Sequence, residues 1–156
     1  MSFEKAKAHL EKKGFADRIK EFDVSSATVA LAAEAVGCEP AHIAKTLSFS
    51  LDDGAILVVS AGDTKVDNKK FKETFHTKAK MLAFDDVERL IGHAVGGVCP
   101  FGINDGVKVY FDESLRRFDY VYPACGSSNS AVKLSCEDLE NAVDSYEWVD
   151  VCKIAE

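Results

Sequence analysis

Apolar residues recur with helical spacing at the start of the chain. Phe3, Ala6 and Leu10 lie three and four positions apart, and Gly14 follows the run. The pattern predicts a first helix over Phe3–Lys13, because glycine readily ends a helix. After it the sequence predicts a short strand over Arg18–Val24. A second helix is predicted to run from a cap at Ser25 or Ser26 to Gly37.

Strict alternation of apolar and polar residues predicts that the next segment is a half-buried strand. Leu47, Phe49 and Leu51 alternate with serines, and Asp52-Asp53-Gly54 predicts a tight turn. The continuous apolar run Ala55–Val59 then predicts a central strand that is buried on both faces.

The second half of the chain mixes helix and strand patterns without a repeat or a linker. The predicted helices are one capped by Asp67 and running to about Phe75, one opened by Asp85–Glu88 and ended by Gly92, and one capped by Ser135. The predicted strands are Val107–Phe111, Phe118–Tyr122 and Ala131–Leu134. Because the strands are short and hairpin-linked, we expect an α+β fold: a single domain over residues 1–156, with a mixed, mainly antiparallel sheet or barrel flanked by helices.

Length, charge and cysteine usage restrict the classes of function. The chain has 156 residues and a net charge of −7, which argues against general affinity for DNA or other nucleic acid. No apolar run approaches the roughly 20 residues that span a bilayer, and no signal peptide precedes the first helix, so we expect a cytoplasmic protein without a membrane partner. The five cysteines form no C-x-x-C pair, so we expect reduced thiols and neither a metal nor another cofactor.

A lysine cluster interrupts this acidic composition. Six lysines lie between Lys65 and Lys80, against only Asp67 and Glu73. The cluster is either a solvated helix face or a local contact for phosphate groups.

The segment Gly96-Gly97-Val98-Cys99-Pro100-Phe101-Gly102 has the composition of a special loop. Three glycines and a proline in seven residues can present main-chain N–H groups to an anion or a carbonyl oxygen, or can form a barrel corner. Cys99 is a candidate nucleophile, and His93 is a candidate base or ribose contact. The sequence places no histidine and acid pair to activate Cys99, which disfavours covalent catalysis.

A lysine stands where a helix-like segment, Pro40–Ala44, is predicted to give way to the strand at Leu47. Lys45 in this place either points into a cleft, where its compact ammonium suits a phosphate or carboxylate, or lies in solvent.

In their combination and order, these segments resemble the YbaK family, the stand-alone relatives of the editing insertion domain of bacterial prolyl-tRNA synthetases. The resemblance extends from about Phe3 to Cys152 and rests on His42–Leu47, Val58–Asp63, Gly92–Gly102, Asp112–Leu115 and Tyr122–Ser127. It implies an aminoacyl-tRNA deacylase that acts in trans on a mischarged small amino acid, with tRNA-Pro as the expected tRNA and prolyl-tRNA synthetase as a possible partner. The alternative is a non-catalytic module of the same fold that binds a small ligand or the tRNA end.

The resemblance also implies roles for individual residues. Lys45 matches the family's functional lysine, and Gly96 and Gly97 are expected to offer main-chain N–H groups. The expected substrate contacts are Thr46, His93, Val98, Cys99, Pro100 and Phe101, and the expected tRNA contacts are Lys69, Lys70 and Lys72. Phe22 and Ala131 occupy positions where cysteine-removing members carry tyrosine and aspartate, which favours another small acyl group such as alanine, serine or threonine.

Overall fold

The computed structural model describes residues 2–52 and 54–155. Within these residues the chain forms five α-helices, three short 3₁₀-helices and nine strands. The α-helices are α1 (Ser2–Lys13), α2 (Val29–Val36), α3 (Asn68–Phe75), α4 (Phe84–Ile91) and α5 (Cys136–Ala142), and the 3₁₀-helices are Ala16–Arg18, Pro40–His42 and Glu113–Arg117. The strands are β1 (Ile19–Glu21), β2 (Ile43–Leu51), β3 (Gly54–Ala61), β4 (Thr64–Val66), β5 (Lys108–Asp112), β6 (Tyr122–Pro123), β7 (Ser130–Val132), β8 (Tyr146–Val149) and β9 (Cys152–Ile154).

A five-stranded sheet with the order β6-β2-β3-β5-β8 forms the centre of the fold. β2 and β3 form a long antiparallel hairpin, whereas β6 pairs with β2, β5 with β3, and β8 with β5 in parallel. Two antiparallel pairs, β1–β7 and β4–β9, lie outside the central sheet. The predicted α+β domain with a mixed sheet is confirmed, although the central sheet holds more parallel pairs than the hairpin pattern predicts.

The strand β3 is buried on both faces, as its continuous apolar run predicts. On one face, Val59 packs in the cluster that contains Leu10 of α1. Leu57 lies on the same face and packs against Val87 of α4. On the other face, Val58 belongs to the cluster built around Phe71 of α3. The β2–β3 hairpin is therefore a rigid base on which the surrounding helices are fixed. No described helix is long and apolar enough to cross a membrane.

Several helix ends follow the predicted chemistry. Gly37 and Gly92 end α2 and α4 in the left-handed conformation, with φ of 85° and 102°. Asp67 accepts main-chain hydrogen bonds at the start of α3, and Ser135 forms a capping box with Asp138 at the start of α5.

Two helix starts differ from the prediction. Thr28, rather than Ser25 or Ser26, caps α2, and its hydroxyl accepts the Leu31 N–H at 3.2 Å. The helix α4 begins at Phe84, one residue before the predicted capping box, so its cap position lacks a side-chain hydrogen bond.

The strand bounds also require corrections. β1 is shorter than the predicted Arg18–Val24, and β2 begins at Ile43, which places Lys45 inside the strand rather than at its start. The predicted strand Phe118–Tyr122 is largely wrong, because a 3₁₀-helix runs to Arg117 and β6 begins only at Tyr122. β4, β8 and β9 have no counterpart among the predicted strands, and Asp53 of the predicted turn lies outside the described residues.

Candidate functional site

A gap in the strand pairing exposes one edge of β2. On that edge β6 pairs only with the first two residues of β2, and the segment 80–82 pairs with Ser48 and Ser50 through main-chain hydrogen bonds of 3.1 and 2.8 Å. Because main-chain groups alternate between the two edges of a strand, the N–H and C=O of Thr46 face the same edge as those of Ser48. They lie in the gap between the two pairing segments.

A cavity of about 350 Å³ lies against this gap. Its wall consists mainly of small and apolar side chains from α2, β2, α4 and the loops near them. Among the described residues that line it, Lys45 is the only lysine, arginine, histidine, aspartate or glutamate. The cavity therefore suits a small uncharged group. Five of the residues expected at the site line it: Lys45, Thr46, Gly96, Val98 and Ala131.

Lys45 is half-buried, and its Nζ donates a hydrogen bond to the Thr64 carbonyl. Burial lowers the pKa of Lys45, and the neighbouring Cys152 and Asp63 only partly offset that shift. The ammonium is held by a main-chain acceptor, without a direct carboxylate partner among the described residues.

The turn that supplies the Thr64 carbonyl is itself fixed. Arg117 donates two hydrogen bonds to Asp63, at 2.6 and 3.0 Å. A Cβ at Gly62 would come within 2.0 Å of a main-chain carbonyl oxygen, so only glycine fits this close approach. The ion pair and the close packing together set the position of the acceptor that holds Lys45.

Thr46 lines the cavity and brings its main-chain N–H and C=O to the open edge of β2. Its Oγ1 is buried and has no hydrogen-bond partner among the described residues, although buried hydroxyl groups are nearly always paired in folded proteins.

The glycine-rich loop contributes its main chain, but not in the predicted way. Gly96 lines the cavity with a φ of 97°, a conformation that favours glycine. Gly97 lies behind the wall, and its N–H donates to the Ala94 carbonyl at 3.0 Å, so that N–H is not free for a substrate. A Cβ at Gly97 would come within 2.6 Å of the Ser127 main-chain nitrogen. Gly97 therefore allows the glycine-rich loop to pack closely against the loop that contains Ser127.

Cys99 and His93 are buried together behind the loop, away from the cavity. Nε2 of His93 donates to the Phe101 carbonyl at 2.6 Å and lies 3.5 Å from Cys99 Sγ. Burial lowers the pKa of His93 and strongly raises the pKa of Cys99. Neither side chain lines the cavity, so their expected substrate contacts are corrected to core positions, and the thiol lacks the low pKa of a nucleophile.

Three more expected contacts also lie away from the cavity. Phe101 is fully buried in the cluster that includes Cys99, and Pro100 is buried beside it. Phe22 is half-buried, and its main chain exchanges hydrogen bonds of 2.8 and 3.0 Å with Asn129. Apolar packing, rather than contact with a ligand, therefore explains the positions of Pro100 and Phe101.

The three expected tRNA contacts lie on α3, and none of them lines the cavity. Lys69 and Lys72 are exposed. Lys70 is partly engaged, because its Nζ donates to Asp150 at 2.9 Å and to the Cys152 carbonyl at 3.1 Å. Among the described residues, no group of three or more His, Cys, Asp or Glu side chains is placed to hold a metal ion.

The sequence analysis missed much of the cavity wall. The missed lining residues include Ser26, Thr28, Ser48, Met81, Phe84, Tyr122 and Ser130. Ser26, Thr28 and Met81 lie outside the helices and strands, whereas the other four lie in β2, α4, β6 and β7. The run Met81-Leu82-Ala83-Phe84 carried the one usable signal for the cavity wall. Its large apolar residues Met81 and Phe84 fit neither a helix face nor a strand alternation.

Comparison with known proteins matches the chain to one family. The model of the aminoacyl-tRNA editing domain matches residues 23–142. The protein YwhH of Bacillus subtilis (strain 168) is 47% identical over 154 residues, which cover 98% of both chains. The proline–tRNA ligase of the same organism is 34% identical over 73 residues, which cover 46% of this chain and 13% of the ligase.

A solved structure extends the similarity to the whole fold. It is described as a proposed trans-editing enzyme for prolyl-tRNA synthetase, and it superposes with a TM-score of 0.87 at 28% identity, over 97% of each chain. Because the family model matches most of this chain, the chain belongs to the aminoacyl-tRNA editing domain family.

Proposed function

We propose that the protein is a trans-acting aminoacyl-tRNA deacylase, which hydrolyses the ester of a mischarged small amino acid on tRNA, with tRNA-Pro as the expected tRNA. The observation that carries the proposal is the cavity on the open edge of β2, where Lys45 and Thr46 meet in a chain of the editing-domain family. The likeness to a proposed trans-editing enzyme for prolyl-tRNA synthetase supports the choice of tRNA.

The reaction does not require a full set of nucleophile, base and acid side chains. Water attacks the ester carbonyl carbon, the bond to the ribose oxygen breaks, and that oxygen leaves with a proton. An aminoacyl ester is already activated, so holding the ester and water in register contributes much of the rate. The N–H groups of Thr46 and Gly96 are our candidate donors to the oxyanion, and one such donor contributes about 2.7–4 kcal/mol. Lys45 holds the terminal phosphate or the ribose.

The cavity wall accounts for the expected selectivity. Ala44, Ser48, Ser130 and Ala131 line it and are buried, which leaves room for a small acyl group. A synthetase discriminates one methylene by only about 1–3 kcal/mol, so mischarged alanine, serine or threonine needs removal after synthesis.

A deacylation panel tests the proposal. One tRNA-Pro preparation is charged with alanine, serine, threonine, cysteine or proline, and ester loss is followed with wild-type protein, with the Lys45→Met variant and with buffer. We expect the wild type alone to release at least one small amino acid and to leave prolyl-tRNA intact. Release no faster than in buffer for every amino acid would refute the deacylase.

One observation favours a second function, a binding module that holds the tRNA end without cleaving it. No described residue of the cavity wall is a histidine, aspartate, glutamate or cysteine that could serve as a general base. A non-hydrolysable 3′-amide analogue of alanyl-adenosine discriminates the two: a binding module binds it without any turnover of the ester, and a deacylase binds it and hydrolyses the ester.

A further inference from the structure

Exposed apolar side chains gather at the opening of the cavity. Met81, Phe84 and Val95 line the cavity, yet they are 58%, 74% and 51% exposed. We refer to these three residues as the mouth cluster. Large apolar side chains that are exposed together beside a cavity indicate a binding surface rather than packing.

Two members of the mouth cluster, Met81 and Phe84, lie on segments that are anchored to the fold. Met81 forms an isolated bridge with Phe49, and Leu82 N–H donates to the Ser48 carbonyl at 3.1 Å. Phe84 begins α4, which is anchored from below by the buried Val87. The Phe84 ring is thus presented to solvent from a fixed main chain, so a planar ligand could stack on it without first ordering a loop.

Chemistry restricts what can occupy this position, if the cavity holds an aminoacyl ester as proposed above. The ester carbonyl is joined to the terminal ribose of tRNA, and that ribose carries an adenine. With the acyl group inside the cavity, the adenine has to lie at its opening. The carboxylates of Asp85 and Asp86 follow Phe84 directly and disfavour a phosphate there, whereas an uncharged base stacks well on an aromatic ring.

We propose that the mouth cluster is the binding site for the terminal adenine, with Phe84 as its stacking platform. The inference rests on the proposed function, because it places the base from the position of the ester. It assigns binding of the substrate to a residue that is remote from Lys45 in sequence and carries no reactive group.

The test compares Phe84→Ala with two controls. Phe84→Tyr keeps the ring, and Ile154→Ala removes a 52% exposed apolar side chain from β9, away from the cavity. Initial rates are measured on alanyl-tRNA-Pro, on 3′-alanyl-adenosine and on alanine methyl ester, which has no base. We expect Phe84→Ala to lower kcat/KM on the two adenine-containing substrates by about 5- to 150-fold, the range that a stacked base contributes, and to leave the methyl ester rate unchanged. Both controls should behave as the wild type.

Equal losses on all three substrates, or no loss on any of them, would overturn the proposal. A dimer of the wild type that Phe84→Ala dissociates in light scattering would also overturn it, since a second copy would then cover the cluster.

Binding separates this inference from the deacylase itself. The 3′-amide of alanyl-2-aminopurine riboside reports stacking by loss of fluorescence and cannot be hydrolysed. Fluorescence loss with the wild type that Phe84→Ala abolishes supports the platform even if no ester is hydrolysed, a result that refutes only the enzyme. Fluorescence that is the same with both proteins refutes the platform, whether or not esters are hydrolysed.

Discussion

The glycine-rich loop and the open edge of β2 contain the strongest candidates for functional residues. The two regions differ in which groups they leave accessible. Behind the loop, Cys99 and His93 are fully buried against each other, and the structure uses them as core residues. On the edge, Lys45 and Thr46 line a cavity, and the main-chain N–H and C=O of Thr46 lie in the gap between the two pairing segments.

The difference shows how the fold separates packing from recognition. The Cys99 thiol is reactive in principle, but burial raises its pKa and removes it from the cavity. Thr46 has no special reactivity, yet the interrupted sheet edge leaves its main-chain N–H and C=O without a partner among the described residues. We therefore expect availability, rather than intrinsic reactivity, to decide which of the two regions carries the chemistry.

The largest expected effect follows removal of the Lys45 charge. Lys45→Met keeps most of the side-chain length and should lower deacylation about 10²- to 10³-fold, the loss typical of one preorganised electrostatic contact. Lys65→Met, on an exposed position of β4, is the matched control. Initial rates and thermal unfolding are measured for both. A folded Lys45→Met protein with wild-type turnover would exclude the lysine from the mechanism.

The loop side of the comparison is tested by stability. Gly97→Ala places a Cβ 2.6 Å from a main-chain nitrogen, so we expect overpacking to lower the free energy of unfolding by about 1–3 kcal/mol. Gly54→Ala is the control, because its Cβ would meet its nearest neighbour at an ordinary 3.5 Å. Urea unfolding measures both variants. Similar midpoints for the two proteins would show that the loops around Gly97 separate without cost.

The secondary structure of the two regions could be predicted from local sequence, for a physical reason. The alternating pattern after Lys45 and the glycines at 96 and 97 depend on residues close in sequence, so both segments were predictable as strand and loop. Which side of the loop faces the cavity depends on Ser127 and Lys5, whose main chains contact the loop glycines from distant segments. Packing of that kind has no local signal.

The mouth of the cavity was unpredictable for a similar reason. Phe84 and Met81 reach it because the segment 80–82 pairs with β2 over a sequence separation of about 30 residues, as the Phe49–Met81 bridge shows. The capping pattern at Asp85 was a misleading local signal, since tertiary packing starts α4 one residue earlier.

The lysines of α3 extend the comparison to the outer surface. Lys69→Glu with Lys72→Glu should weaken tRNA binding and reduce the slope of log K against log salt by about 1 for each phosphate that the protein no longer neutralises. The matched control is Lys7→Glu with Lys12→Glu, the same charge change on exposed positions of α1. Hydrolysis of 3′-alanyl-adenosine, which lacks the phosphates, should not change. An unaltered slope would leave these lysines as a solvated helix face.

Cys99 allows the buried side to be tested directly against catalysis. Cys99→Ala should keep nearly full deacylase activity and lose about 1 kcal/mol of stability, the cost of a small core deletion. Cys38→Ala, at a half-buried position, should cost less. Activity is measured by initial rates and stability by urea unfolding. A thousandfold loss of activity at unchanged stability, or a trapped thioester on Cys99, would reverse the roles assigned to the two regions.

The smallest expected effect is a pH dependence of stability that originates at His93. Burial holds the pKa of His93 below its ordinary value of 6.5. Between the folded and unfolded pKa values the unfolded chain binds more protons, so His93 lowers stability as the pH falls from 6.5 towards the folded value. His93→Gln keeps a side-chain donor for the Phe101 carbonyl and cannot titrate, so its free energy of unfolding should fall less than that of the wild type between pH 7 and pH 5. His76→Gln, at an exposed position, is the control and should follow the wild type. Parallel pH profiles for the wild type and His93→Gln would mean that water reaches the imidazole, which would contradict the complete burial of His93.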